Sequence, residues 1–177
     1  MPSVEPLTRV ANLAPTAGVL RNRDLDAHGI ARQYLRLAEQ QGLVIRSGRG
    51  LYTAADAPVT ELHTIAEASK KVPRGVICLL SALRFHDIGT QNPFEVWIAI
   101  GEKDRRPVAG LPSLRVVRFS KHALAFGQET HPIEGVPTRI FSAAKTVADC
   151  FKYRNKIGLD VALEALRECL SQRKATA

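Results

Sequence analysis

The sequence predicts an α+β protein in two parts, and three observations support this fold class. Residues 21–52 read as two short helices followed by a glycine-rich ribbon, which is the order typical of a winged helix-turn-helix. A small, proline-ended linker (AADAP) follows at residues 54–58, and beyond it strand-like and helix-like segments are interleaved. We therefore expect a winged helix-turn-helix DNA-binding domain over residues 1–57. The C-terminal α+β domain, with a small and mostly antiparallel sheet, is expected over residues 58–177.

Two helices and a short extended segment are predicted before the third helix. Three apolar residues with helical spacing predict a first helix that ends before Pro15, namely Leu7, Val10 and Ala11. Residues 18–20 are expected to be a short extended segment. Asn22 is a suitable N-cap for a second helix through Ala27, and the pair His28-Gly29 should end that helix.

The third helix carries the functional prediction. On a helical wheel over residues 30–41, the apolar side collects Ile30, Ala31, Tyr34, Leu35, Leu37 and Ala38. The opposite side collects Arg32, Gln33, Arg36 and Gln40. Arginine and glutamine side chains can bond guanine and adenine edges bidentately in the major groove. Gly42 follows the last turn, where a left-handed cap is expected.

A two-stranded ribbon is predicted next. Apolar β-formers at residues 43–46 and 51–53 flank a turn of Ser47, Gly48, Arg49 and Gly50. Arg46 and Arg49 would lie near its tip and could reach phosphates or a minor groove. An amphipathic helix with exposed arginines is by itself an ordinary solvated surface. The combination of short helix, turn, helix and arginine-tipped ribbon is what favours DNA binding.

The second part begins with alternating helices and strands. Thr60 is expected to cap a helix to about Lys71, which residues 73–75 (PRG) break. A brief strand within 76–80 should lead into a helix that ends near His86. Two strands are predicted at residues 94–100 and 114–119, joined by a charged loop at 101–112 that contains Lys103, Arg105 and Arg106.

The remaining elements are a hairpin and two helices. The hairpin is expected at residues 130–141 around Glu134-Gly135, with edge strands marked by Pro132 and Pro137. Ser142 should cap a helix to about Tyr153. Gly158 then separates it from a last amphipathic helix at 161–170, in which three leucines share one side: Leu163, Leu166 and Leu170.

Composition indicates the class of partner and the compartment. The formal net charge is +8 and the pI is about 9.8, a balance that favours a polyanionic partner. Residues 59–177 hold eighteen basic and twelve acidic side chains, so most of the excess lies in the second part. The three cysteines form no CxxC motif and predict reduced core residues of a cytoplasmic protein. Neither a membrane span nor a secretory signal is expected.

No catalytic, cofactor or metal site is predicted. The five histidines lack metal-ligand spacing, and no glycine-rich nucleotide motif is present. A Mg²⁺-dependent nuclease of the PD-(D/E)xK type needs converging acids and a lysine on a central strand. The strand at 94–100 offers Glu95, but Trp97 occupies the position of the lysine. Lys145 and Asp149 are four residues apart on one predicted helix, and we expect a simple ion pair.

Three ordered segments resemble one protein family. RDLDAHGIARQYLRLAEQQGLVIRSGRGLY is similar to the N-terminal winged helix of the AbiEi-like antitoxins, the transcriptional regulators of abortive-infection type IV toxin–antitoxin pairs. GVICLLSALRFHDIGTQNPFEVWIAI and RIFSAAKTVADCFKY resemble hallmark segments of their C-terminal domain. The resemblance spans roughly residues 18–170. It places the reading helix at 31–40 and the wing at 45–51.

The resemblance implies a repressor that binds double-stranded DNA at inverted repeats upstream of its own operon. It also implies antagonism of a nucleotidyltransferase-like toxin, without a need for direct contact, and it is compatible with a homodimer on DNA. Eight DNA contacts are predicted: Arg32, Gln33 and Arg36 from the helix, Arg46, Ser47 and Arg49 from the wing, and Arg21 and Arg23 beside the second helix. Two alternatives remain, a protein-interaction module without DNA readout and the Mg²⁺-dependent nuclease.

Overall fold

Two β-sheets organise the structure, a computed structural model that describes residues 4–175. The helices and strands in chain order are α1 (Val4–Ala17), β1 (Val19–Leu20), α2 (Asn22–Ala27), α3 (Gln33–Gln40), β2 (Val44–Gly48), β3 (Leu51–Ala54), α4 (His63–Lys71), β4 (Val76–Ile77), α5 (Leu79–Phe85), β5 (Val96–Gly101), β6 (Leu114–Phe119), α6 (Lys121–Ala125), β7 (Gln128–Ile133), β8 (Val136–Phe141), α7 (Ala143–Lys152), α8 (Arg154–Ile157) and α9 (Leu159–Ser171). The smaller sheet is antiparallel in the order β1-β3-β2, and the larger is mixed in the order β6-β5-β4-β8-β7. The α+β fold class is thus confirmed.

The N-terminal helices differ from the prediction at two ends. Helix α1 runs through Pro15 to Ala17, so the predicted stop was wrong. A proline this close to the end of a helix removes only one of the last backbone hydrogen bonds. Helix α2 is capped by Arg21 and not by Asn22. The Arg21 backbone N–H donates to the Asp24 carboxylate at 2.7 Å, so the third residue of the helix bonds back to the N-cap amide as in a capping box.

Helix α3 is shorter than the sequence suggested. It starts at Gln33, with Arg32 as its N-cap, and the exposed Ala31 precedes the helix. The predicted apolar side was therefore wrong at Ala31, although Leu35 and Ala38 are buried as expected. The helix ends as predicted at Gly42, whose φ is +70°. The amide of Leu43 reaches the carbonyl of Ala38, which completes a Schellman cap.

The ribbon after α3 is a hairpin with a tighter turn than expected. Strand β2 extends to Gly48, and only Arg49 and Gly50 form the turn. The register shifts between Arg46 and Gly48, so Ser47 occupies a β-bulge and not the predicted four-residue turn. Strand β1 pairs with the other side of β3, which completes a three-stranded antiparallel sheet.

The larger sheet is mixed. Strands β5 and β6 pair in parallel, as do β4 and β8, whereas the pairs β4–β5 and β7–β8 are antiparallel. The expectation of a mostly antiparallel sheet was therefore wrong. Pro132 lies in the edge strand β7 as predicted, but β8 is not an edge strand. Pro137 is tolerated there because β4 meets β8 only at the pair Ile77 and Ile140.

The helices of the second part follow the predicted order with shifted starts. Helix α4 begins at His63, with Leu62 as its N-cap, and not directly after Thr60. The Thr60 hydroxyl donates to Glu134 at 2.7 Å and accepts from the Leu62 amide at 3.2 Å, in the turn that precedes the helix. Ser142 caps α7 as predicted. In α9 the three leucines share a side, but that side is exposed. The buried side consists of smaller residues, namely Val161, Ala162, Ala165 and Cys169.

The two parts share one hydrophobic cluster. Val19 of β1 and Leu51 of β3 pack with Ile65 of α4 and Ile98 of the larger sheet. An ion pair between Lys70 of α4 and Asp24 of α2, at 3.0 Å, adds a polar contact. The smaller sheet is therefore fixed against α4 and the larger sheet. No helix within residues 4–175 is both long and apolar enough to cross a membrane.

Candidate nucleic-acid interface

The exposed side of α3 is the centre of the candidate interface. Gln33, Arg36 and Gln40 are exposed, while Leu35 and Ala38 on the opposite side are buried in one hydrophobic cluster with residues of α1 and β3. The side chains of Arg36 and Gln33 make no hydrogen bond or ion pair with other residues of the described chain. Their donors are therefore free for an external acceptor such as a base edge or a phosphate.

Arg32 lies beside this surface but already has a partner. Its Nη2 donates to the Asp26 carboxylate at 2.6 Å and its Nε donates at 3.0 Å, although the side chain is 63% exposed. These hydrogen bonds and the opposite charges raise the pKa of Arg32 and lower the pKa of Asp26. Arg32 thus joins α2 to the start of α3. The expected position of Arg32 on the face of the helix was wrong, because Arg32 precedes the first helical residue.

The wing presents two of its three predicted residues outward. Arg49 is exposed in the two-residue turn at the tip. Arg46 is exposed on β2, and its Nε donates to the carbonyl of Gly48 at 3.2 Å, which directs the side chain along the ribbon. The hydroxyl of Ser47 is buried and has no hydrogen-bond partner within the described chain. Because this hydroxyl faces the protein, Ser47 does not contribute to the outward surface.

The two arginines near α2 differ in accessibility. Arg23 is exposed. The Arg21 side chain is only 18% exposed, lies 3.8 Å from Asp24, and has a buried Nε without a partner in residues 4–175. Burial and the neighbouring Arg23 lower the pKa of Arg21, against the effect of Asp24. Arg21 therefore belongs to the junction with α4, where Asp24 also pairs with Lys70.

Sequence reasoning missed what lies beside the wing. The loop between β5 and β6 touches β2, since a Cβ on Gly48 would lie 2.8 Å from the carbonyl oxygen of Leu111. The sequence marks this loop only as charged, and nothing local in it indicates a contact some sixty residues away. The backbone packed beside the end of β2 therefore comes from a second, distant segment of the chain.

The residues considered for catalysis have structural partners. Glu95 accepts from the Ser113 hydroxyl at 3.1 Å and pairs with Arg115 at 3.4 Å. No group of three or more histidine, cysteine or acidic residues within the described chain is arranged to hold a metal ion. Lys145 and Asp149 form the predicted ion pair at 2.5 Å. That pair is buried beneath two rings, those of Phe119 and Phe141.

Two comparisons with known proteins bear on this surface. Residues 9–55 match the model of a family described as a transcriptional regulator, AbiEi antitoxin. The match begins within α1, ends just after β3, and confirms the resemblance over that part of the chain. The two later segments that resemble the same family lie outside it, so their resemblance stays a prediction. A comparison with curated proteins found no match.

Proposed function

We propose, on the premise that residues 9–55 match the AbiEi regulator family, that this protein is a sequence-specific DNA-binding repressor. The observation that carries the proposal is the exposed side of α3 next to an outward wing. Arg36 and Gln33 are free on α3, and Arg49 is exposed at the wing tip. A helix with such a side can enter the major groove while the wing follows the backbone.

The proposed contacts have different roles. Gln33 and Arg36 read base edges, because they project from the first turns of α3. Arg46 and Arg49 contact phosphates from the wing, and Arg23 contacts a phosphate beside α2. Arg32 is paired with Asp26 and offers only its remaining donors to DNA. Arg21 and Ser47 are assigned no DNA contact, because the Arg21 Nε and the Ser47 hydroxyl are buried.

The biological setting is the finer part of the proposal. We infer that the repressor is the antitoxin of a type IV toxin–antitoxin pair, binds inverted repeats upstream of its own operon, and opposes a nucleotidyltransferase-like toxin without direct contact. The family match supports the regulator and antitoxin roles. The formal charge of +8 agrees with a nucleic-acid partner.

A binding assay tests the DNA-reading role. Fluorescence anisotropy with the duplex upstream of the gene should show that Arg36→Ala costs roughly 1–3 kcal/mol of binding free energy, if Arg36 contacts a base bidentately. Arg167→Ala is the matched control, because Arg167 is an exposed arginine on α9. Equal affinity of wild type and Arg36→Ala for this duplex would remove α3 from its proposed role.

A growth assay separates the antitoxin from the two alternatives. Co-expression with the neighbouring toxin gene should restore growth even where pull-down detects no complex. Capture of a protein partner by a chain without DNA affinity would instead favour the interaction module. Mg²⁺-dependent cleavage that Glu95→Gln abolishes would favour the nuclease, which the partners of Glu95 disfavour.

A further inference from the structure

The loop between β5 and β6 forms a basic surface beside the wing, and this surface lies outside the segment that matches the regulator family. Four cations line one cleft of about 390 Å³: Lys71, Arg74, Arg105 and Arg106. The one acid among its lining residues is Asp104, which accepts from the Gly101 amide at 3.0 Å and pairs with Arg74 at 3.6 Å. The lining of the cleft therefore carries a clear excess of positive charge.

The loop is anchored by Lys71. Its ammonium donates to the backbone carbonyls of Gly110, Leu111 and Pro112 at 2.8, 3.2 and 3.4 Å. Burial lowers the pKa of Lys71, against the opposing effect of Glu67. All three donors of this side chain are engaged within the protein, so Lys71 positions the loop and does not bind an external anion.

The anchored end of the loop lies against the wing near its tip. Strand β2 is the outer strand of the small sheet, and Gly48 is its last residue before the turn. A side chain at Gly48 would lie 2.8 Å from the Leu111 carbonyl oxygen. The contact between these two backbones therefore depends on glycine at this position.

The outer end of the loop is free to bind. Arg105 and Arg106 are exposed, and neither has a hydrogen-bond or ion-pair partner among residues 4–175. Arg106 is five residues from Leu111, so a fully extended chain would place it no more than about 18 Å from the wing contact. This distance corresponds to about five base pairs at 3.4 Å per step along one strand. Arg106 is therefore separated from the wing contact by no more than about half a turn of duplex length.

We propose that the loop between β5 and β6 is a second DNA-binding element, in which Arg105 and Arg106 contact backbone phosphates just beyond those that the wing contacts. The inference rests on the proposed function, because it requires a duplex already docked on α3 and the wing. Phosphate contacts of this kind add affinity without sequence information. The second part of the chain would thereby lengthen the stretch of DNA that the protein contacts and leave the sequence specificity unchanged.

The experiment is a salt titration of the full chain with two 30-base-pair duplexes, the DNA upstream of the gene and a mixed-sequence control. Each lost phosphate contact should reduce the slope of log K against log salt by about 0.9. Arg105→Ala/Arg106→Ala should therefore lower the slope by about 1.8 on both duplexes. Raising salt from 50 to 200 mM would then cost the wild type on the order of tenfold more affinity than the variant. The ratio of the two affinities should stay unchanged.

Matched variants keep the outcomes distinguishable. Arg105→Lys/Arg106→Lys keeps both charges and should keep the wild-type slope, and Arg167→Ala should be silent. A wild-type slope in Arg105→Ala/Arg106→Ala, while Arg36→Ala weakens binding to the upstream duplex, overturns this inference alone. Failure of the wild-type chain to bind either duplex overturns the proposed function as well. A changed affinity ratio in the double alanine variant would also overturn the inference, because phosphate contacts do not select sequence.

Discussion

Single residues decide how much of the predicted surface is available to DNA. Of the eight predicted contacts, Gln33, Arg36, Arg23 and Arg49 are exposed and without partners, apart from the charge that Arg23 exerts on Arg21. The Arg32 guanidinium is shared with Asp26, and the Ser47 hydroxyl is buried. The sequence could identify these residue types and their order. It could not show that a carboxylate six positions earlier folds back onto Arg32, since that depends on the angle between two helices.

The pair of Arg32 and Asp26 yields a prediction at this scale. Asp26→Asn should tighten DNA binding and steepen its salt dependence, because it removes a negative charge near the proposed interface and releases the Arg32 donors. Anisotropy titrations at several salt concentrations measure both effects. Weaker binding by Asp26→Asn would mean instead that the carboxylate orients Arg32 for contact. Asp56→Asn, a change in the linker, controls for net charge.

At the scale of elements, the order of helices and strands followed from local signals, although several element ends did not, and long-range pairing could not be predicted. The glycine after α3, the hairpin of the wing and the cap of α7 were predicted from local chemistry, and each is present. The parallel pairs in the larger sheet join segments far apart in sequence, and periodicity carries no information about such partners. The three leucines of α9 share one side of the helix, as predicted. The small residues opposite it form the buried surface, because α9 packs closely on α7.

The cap of α3 provides the prediction for elements. Gly42 has φ +70°, and a Cβ there would meet no atom within 4 Å, so alanine would be penalised by backbone conformation alone. Gly42→Ala should lower the free energy of unfolding by about 1–2 kcal/mol, measured by urea denaturation. Asparagine tolerates this conformation, so Gly42→Asn should recover most of the loss. An alanine variant as stable as wild type would show that the left-handed cap does not stabilise the helix.

Across the whole molecule, the N-terminal elements α1 to β3 and the larger sheet are linked by contacts that sequence patterns did not indicate. The turn between β7 and β8 approaches the end of α1 at Thr16. Glu134, in the same turn, accepts from the amide and hydroxyl of Thr60 at 2.9 and 2.7 Å, and lies 2.6 Å from Nδ1 of His63. The Glu134 carboxylate therefore holds the residues that follow the linker, Thr60 and His63, against the turn between β7 and β8. The turn between β7 and β8 therefore contacts residues on both sides of the predicted boundary at residue 57.

The pH dependence of stability tests this junction. Burial alone would raise the pKa of Glu134, but hydrogen bonds from Thr60 and His63 outweigh it and lower the pKa from its ordinary value of 4.5. The stabilisation is thus fully present above pH 4.5 and is lost as the pH falls through the lower pKa of the folded state. Glu134→Gln should be less stable than wild type at pH 7, and the difference should shrink toward pH 3. A difference that stays constant between these pH values would contradict the assignment.

The burial of Val19 and Leu51 has a practical consequence for the use of the N-terminal part of the chain as a separate fragment. Both side chains have almost no solvent exposure, and they pack against Ile65 and Ile98 from beyond the linker. A fragment that ends at residue 57 would expose both side chains to solvent as an apolar patch. Fusing residues up to 57 to another scaffold would therefore require polar replacements at Val19 and Leu51, or an apolar surface on the scaffold that covers them.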